Sequence, residues 1–186
     1  MDAAFQQAAT QRRPHHVLGF RLAPYQLGHA FLLYGADVNY VTGYDHPHID
    51  DLLTAVFICA QPWDRSEREL RSRWRPWFMR LWGLVIRRKN LLVEALAFRE
   101  YLKAERLCPA TKPVAGGTVR ELRAPEHWRL LAMLMSDFHM TKHEALSTGY
   151  SMALCLWATK GDLNGTVALS WSDWHERFHR DVERAE

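Results

Sequence analysis

The chain has 186 residues, 48% of them hydrophobic and 12% aromatic, with a formal net charge of +3; that is one domain, or two small intimate ones, with enough apolar content for a core, which excludes a disordered chain. No apolar run reaches the ~18 residues of a membrane span, and Cys59, Cys108 and Cys155, odd in number and widely spaced, read as reduced thiols and not as a disulfide framework. The charge is uneven: from Arg65 to Lys89 eight arginines and one lysine stand against two glutamates, a net +7 that leaves −4 for the remainder.

Residues 1–16 are polar, close on Arg12-Arg13-Pro14-His15-His16 and lack the apolar core of a signal peptide, so they read as a loose arm on a cytoplasmic protein. Val17 to Leu22 form a short strand or an extended lead-in. Pro24 suits a first helical turn. The helix it opens runs to Tyr34, with Leu27, Ala30, Phe31 and Tyr34 on one face and Gly35 as its C-cap. Gly28 lies inside it, which costs stability unless something packs closely there.

Residues 36–46 are a loop. Pro47 opens a second helix, whose stripe is Ile49, Leu52, Leu53, Val56, Phe57 and Ala60, and Gln61-Pro62 ends it. Ser66 and Glu69 have capping-box spacing for a third helix with Leu70, Trp74, Trp77, Phe78, Leu81 and Val85 inward. Pro76 predicts a break or kink near Arg75. Asn90 caps a fourth helix over 91–106 carrying Leu92, Ala95, Leu96, Phe98 and Leu102.

Residues 107–124, with two prolines and a Gly-Gly pair, read as a linker between a 17–106 part and a 125–186 part packed as one unit. Pro125 starts a helix with Trp128, Leu131, Leu134, Met135 and Phe138 inward. Thr141 and Glu144 form a second capping box. The helix after it runs to about Lys160 and stops at Gly161, with Gly149 a point of division. A turn or short extended piece over 162–170 precedes a last helix with Trp171, Trp174, Phe178 and Val182 inward. The fold class is all-α, an irregular bundle of six or seven helices with one short N-terminal strand.

Two histidine clusters invite a metal reading. His175-Glu176-Arg177-Phe178-His179 is a literal H-E-x-x-H, which on a helix puts two imidazoles on one face. Only seven residues follow His179, and Val182 and Ala185 stand where an extended zinc motif wants Gly and His. A zinc hydrolase is therefore the third reading, and a solvated terminal helix face the plainer one. His46 and His48, among Asp45, Asp50 and Asp51, could ligate a divalent ion, but acidic residues in a first helical turn also complement the helix dipole. His139 and His143 are four apart, with Thr141 capping between them, so they do not share a face. Cys59 sits on an apolar helix with no activating partner and reads as core. No cofactor motif occurs.

The Arg/Trp block has several readings. Guanidiniums bind phosphates and indoles stack on bases, so nucleic acid is one partner class. A cationic Trp-bearing helix can lie on an anionic membrane. Its tryptophans nonetheless follow a core stripe, and Arg73, Arg80 and Arg87 recur every seven residues on another face, as solvated positions do. The partner-binding candidates are Arg73, Arg75, Arg80, Trp82, Arg87 and Arg88, with a protein partner preferred, nucleic acid second and no membrane role.

The segments FRLAPYQLGHAFLLYG, DDLLTAVFICAQPW, SRWRPWFMRLWGLVIRRKNLLVEALAFREYL and PEHWRLLAMLMSDFHMTKHEALSTGYSMALCLWATKGDLNG, taken in order over about residues 20–165, resemble small helical proteins of bacteriophage and prophage tail gene clusters, of the tail assembly chaperone kind. The likeness lies in the order of elements: a "LGH" helix, a helix ending in Cys59-x-x-Pro62-Trp63, the Arg/Trp helix and a late helix pair joined at His143-Glu144-Ala145-Leu146. The resemblance implies a non-enzymatic protein without cofactor. It would act on other phage tail proteins in the host cytoplasm or stay with the virion, with self-association left open.

Overall fold

The computed structural model describes residues 14–38, 49–72, 82–83, 86, 89–106, 108, 111–113 and 124–169. Among them are seven helices and four short strands: β1 His16–Val17, β2 Phe20–Arg21, α1 Leu27–Gly35, α2 Ile49–Cys59, α3 Trp63–Leu70, α4 Leu91–Glu105, β3 Thr111–Pro113, α5 Glu126–Ser136, α6 Lys142–Ser147, α7 Tyr150–Leu163 and β4 Val167–Leu169. The architecture is an all-α bundle with two minor antiparallel ladders, β1–β2 and β3–β4. Helix α1 is its axis, packed against α2, α3, α5 and α6. One continuous apolar core takes residues from both the 17–106 and the 125–186 parts. No helix among the described residues is long and apolar enough to cross a membrane.

The expected single strand is a hairpin. Val17 pairs with Phe20 and His16 with Arg21, and the two residues between, Leu18 and Gly19, both have positive φ (54° and 88°). That is the turn whose twist matches a two-residue hairpin. Leucine is disfavoured there. Its side chain is buried, and its N–H donates to Glu94 Oε2 at 2.6 Å, so core packing and a carboxylate hold the conformation.

Helix α1 starts at Leu27, three residues after Pro24, because the backbone of 23–27 bonds elsewhere. The Ala23 N–H donates to the Cys59 carbonyl and the Leu27 N–H to the Thr148 carbonyl. The Tyr25 N–H donates to Glu105 Oε2 at 2.9 Å, and the Tyr25 carbonyl accepts from Tyr150 N–H at 2.8 Å. Every buried backbone polar group needs a partner, and here the partners lie across the fold. The buried face of α1 is Leu27, Gly28, His29, Ala30 and Leu33, leaving Tyr34 exposed. Gly35 is the last helical residue, and Ala36 is the C-cap.

Ser66 does not cap a helix. Helix α3 begins at Trp63, and Ser66 is a buried interior residue whose hydroxyl donates to the Ile58 carbonyl at 2.7 Å. The helix ends at Leu70 with Arg71 as C-cap, and the break expected near Arg75 lies outside the described residues. Trp74, Trp77, Phe78, Leu81 and Val85 lie outside the described residues, as does the final helix expected after Ser170.

The Asn90 cap is present, its side chain accepting from Leu92 and Val93 N–H. Helix α4 buries Ala95, Phe98, Tyr101, Leu102 and Glu105 and leaves Leu92 and Leu96 exposed. The residues read as a linker contribute β3, which pairs with β4 through Thr111↔Leu169, Lys112↔Ala168 and Pro113↔Val167. Of the expected α5 stripe Leu131 and Leu134 are buried, together with His127, Leu130 and Met133, while Trp128, Met135 and Phe138 are exposed. Gly149 divides α6 from α7, and α7 continues through Gly161 to Leu163. Gly161 lies under β4, where a β-carbon would meet Val167 Cγ2 at 2.5 Å.

The capping box of α6 is complete. Thr141 Oγ1 accepts from Glu144 N–H at 3.3 Å, and Glu144 Oε2 accepts from Thr141 N–H at 2.8 Å. Thr141→Ala is therefore expected to cost about 0.5–2 kcal/mol of unfolding free energy. A urea midpoint indistinguishable from the parent would contradict that role.

Candidate functional site

The sequence-selected residues are unevenly placed. Arg73, Arg75, Arg80, Arg87 and Arg88 of the Arg/Trp block lie outside the described residues, and so do His46, His48, His175 and His179. Trp82 is described. Its ring packs on Phe20, centroids 4.2 Å apart at 42°, so part of the indole surface offered to a partner is committed to the fold. Among the described residues no group of three or more His, Cys, Asp or Glu side chains could hold a metal ion. His139 precedes the Thr141 cap while His143 lies within α6, so the two share no helical face. Cys59 is fully buried on α2, and burial pushes its thiol well above the usual range. That is a core cysteine and not a nucleophile.

A polar hub that the sequence did not announce joins three helices, α1, α3 and α6, at the start of α1. Gln26 Oε1 accepts from Trp63 N–H at 3.1 Å, and its Nε2 donates to the Ser147 carbonyl at 3.0 Å. Trp63 Nε1–H donates to Ser147 Oγ at 3.0 Å. His29, fully buried, accepts the Gln26 N–H on Nδ1 at 3.0 Å and sits 2.8 Å from the Gln61 carbonyl through Nε2. An accepting Nδ1 leaves the proton on Nε2, which donates to that carbonyl, so the ring is neutral. Burial lowers its pKa to about 4, against which the Gln61 carbonyl pulls upward. The hub fixes α3 and α6 against α1.

Beside the hub, α1, α3, α5 and α6 leave an apolar groove of about 460 Å³. Its apolar lining comes from Phe31, Leu32, Leu131 and Leu146, with the indoles of Trp63 and Trp128. Glu67, Lys142 and His143 supply the polar part. Phe31 and Trp128 meet edge to face, centroids 4.9 Å apart at 74°, and His127 stands at 4.7 Å from Phe31 in the same arrangement. Trp128 is 51% exposed, with Tyr34 and Phe138 exposed on the same two helices, α1 and α5, or just after them. Large aromatic side chains in a groove with balanced charge suit an apolar partner better than an ionic one. The periodicity of α5 assigned Trp128 inward, and Trp128 does share a face with Leu131. The usable signal was that α5 holds more apolar residues than one face can bury.

Comparison with family models, with curated proteins and with solved structures finds no match to this chain.

Proposed function

We propose that the chain is a non-enzymatic assembly protein of a phage or prophage tail, working through protein–protein contacts, with the α1/α3/α5/α6 groove as its docking surface. The observation that supports this most is the half-exposed Trp128, braced edge to face by Phe31 over an apolar floor. An amphipathic helix of a partner, laying apolar side chains at helical spacing into the groove, is the occupant such a surface fits. Its Glu67 and Lys142 lining, one charge of each sign, sets register and not net attraction.

Trp128→Ala is expected to leave the melting temperature near that of the parent, because half of the side chain is already in water. It should weaken the partner complex by about 2 kcal/mol or more, as an aromatic anchor does. The measurement is a pull-down of the full chain co-expressed with the other tail proteins of its gene cluster. Loss of the complex in the variant, at unchanged stability, is the expected result. A complex of parental strength in Trp128→Ala would remove the groove from the function.

The +7 of the Arg65–Lys89 block supports nucleic-acid binding as the second reading. Phosphate contacts weaken steeply with salt, whereas an apolar groove does not. DNA binding is expected to be weak and gone near 0.15 M salt (about physiological ionic strength), while the protein complex survives. A tight, sequence-selective DNA complex at that salt would reverse the order of the two readings.

A further inference from the structure

On the other side of α5 from the groove lies a pocket of about 540 Å³ bounded by α4, α5 and α7. Its charged lining comes from Arg99, Lys103, Arg106 and Arg129 against the single carboxylate Glu126. Arg99, Lys103 and Arg106 fall at i, i+4 and i+7, one face of α4 and its C-cap. Glu126 is already engaged: it accepts from the Tyr150 hydroxyl at 2.5 Å and pairs with Arg106 at 3.2 Å. Lys103 holds only an exposed partner, Glu100, at 2.7 Å, which screening makes weak and easily exchanged. The Nε of Arg129 is buried and has no hydrogen-bond partner. A buried guanidinium N–H without an acceptor is costly and uncommon, and the residue that carries it lines this pocket. The floor is apolar, made by buried Leu102, Leu130 and Leu154, and Trp157 of α7 presents a half-exposed indole to it.

We propose that this pocket binds a mononucleotide, its phosphates on Arg99, Arg106 and Arg129 and its base against Trp157 and the leucine floor. A single carboxylate would leave most of the local positive charge unanswered. A phosphate group carries a charge of about −2 and three acceptor oxygens, which match the guanidiniums that line the pocket. The volume is that of a small-ligand site with an apolar lining and a few convergent polar groups. The indole gives a flat aromatic ring a stacking surface. The site uses Glu126, Arg129 and Leu130 of α5, whereas the groove uses Trp128 and Leu131, so it stands independently of the assembly role.

The test is calorimetric titration of the full chain at low salt with ADP, adenosine and inorganic phosphate. ADP is expected to saturate with a dissociation constant in the micromolar range, and adenosine and phosphate to bind at least about tenfold more weakly. Arg129→Met and Arg99→Gln should each weaken ADP by about tenfold, the loss of one charge-assisted contact. Trp157→Ala should weaken ADP and leave phosphate unchanged. Arg129→Met should melt no lower than the parent, because it removes an unanswered polar atom, and Arg99→Gln serves as the exposed-residue variant that leaves the interior untouched. Absence of ADP saturation at millimolar concentration, or parental ADP affinity in both arginine variants, would overturn the proposal. Phosphate binding as tight as ADP would overturn the nucleotide assignment.

Discussion

Trp63→Ala is expected to lower the unfolding free energy by about 3–5 kcal/mol, the range for deleting a large aromatic side chain from a packed core. The indole is 8% exposed and sits at the first turn of α3, against α1 on one side and α6 on the other. Its deletion removes apolar burial, leaves a cavity, and strips Ser147 Oγ of the Nε1–H donor. The close approach that makes room for it is Gly28, where an added β-carbon would stand 2.5 Å from Trp63 Cδ2 and 2.9 Å from its Cβ. Gly28→Ala alone should therefore cost about 1–3 kcal/mol by overpacking, although alanine is intrinsically the better helix former by about 1 kcal/mol. In the Trp63→Ala background the ring contacts are gone and only the 2.9 Å approach to the Cβ remains, so Gly28→Ala should cost clearly less than it does in the parent. The reduced cost is measured by urea unfolding of the two single variants and the double variant, a cycle that isolates the contact between the two positions. Additive losses would mean that the α1–α3 contact does not govern stability.

The second large effect is on pH. The neutral, buried His29 has a folded-state pKa of about 4 against 6.5 for a free imidazole. Below pH 6.5 the unfolded chain takes up a proton that the folded chain refuses until about pH 4. Stability is thus fully present above the unfolded pKa and falls as pH drops toward the folded one, by about 3 kcal/mol in all. His127, lowered by burial with Glu126 opposing, acts in the same direction. The lowered carboxyls of Glu69, Asp137 and Glu144 lose their contribution only at lower pH. His29→Gln keeps a donor for the Gln61 carbonyl and removes the titration, so its unfolding free energy should vary much less between pH 6.5 and 4.5 than the parent's. A parent whose urea midpoint is flat across that interval would show that the ring is not held neutral by the fold.

Local signals were legible wherever a helix carries its own cap or a single apolar face. Asn90 and the Thr141/Glu144 box mark the starts of α4 and α6, because a side-chain oxygen three residues or fewer from its N–H target needs nothing else in the molecule. The α2 stripe holds at Leu52, Leu53 and Val56. A glycine inside α1 implies close packing at Gly28, and Trp63 is what packs there. The Ser66/Glu69 spacing misled because an identical pattern serves a hydroxyl that bonds the carbonyl of a neighbouring helix.

The candidate sites were far less legible. The Arg/Trp block drew attention by charge, yet its described indole, Trp82, lies on Phe20. The groove and the arginine pocket are each assembled from residues far apart in sequence. Their members carry no motif, and only the packing of α1, α3, α5 and α6 around the groove, and of α4, α5 and α7 around the pocket, brings them together.

The sequence by itself determined the helical class, most helix starts, the reduced buried Cys59 and the cost of a glycine inside α1, since these follow from spacing, capping chemistry and apolar content over a few residues. The tertiary structure alone decided where α1 begins, which face of α5 is buried, that the 107–124 segment contributes a strand and that His29 is neutral. Each of those turns on a partner many residues away: Cys59, Glu105 and Thr148 for the backbone of 23–27, β4 for β3, and Gln61 for the imidazole. Long-range hydrogen bonds and burial outweigh local propensity at such positions, because a buried polar group must be satisfied wherever its partner lies in the chain.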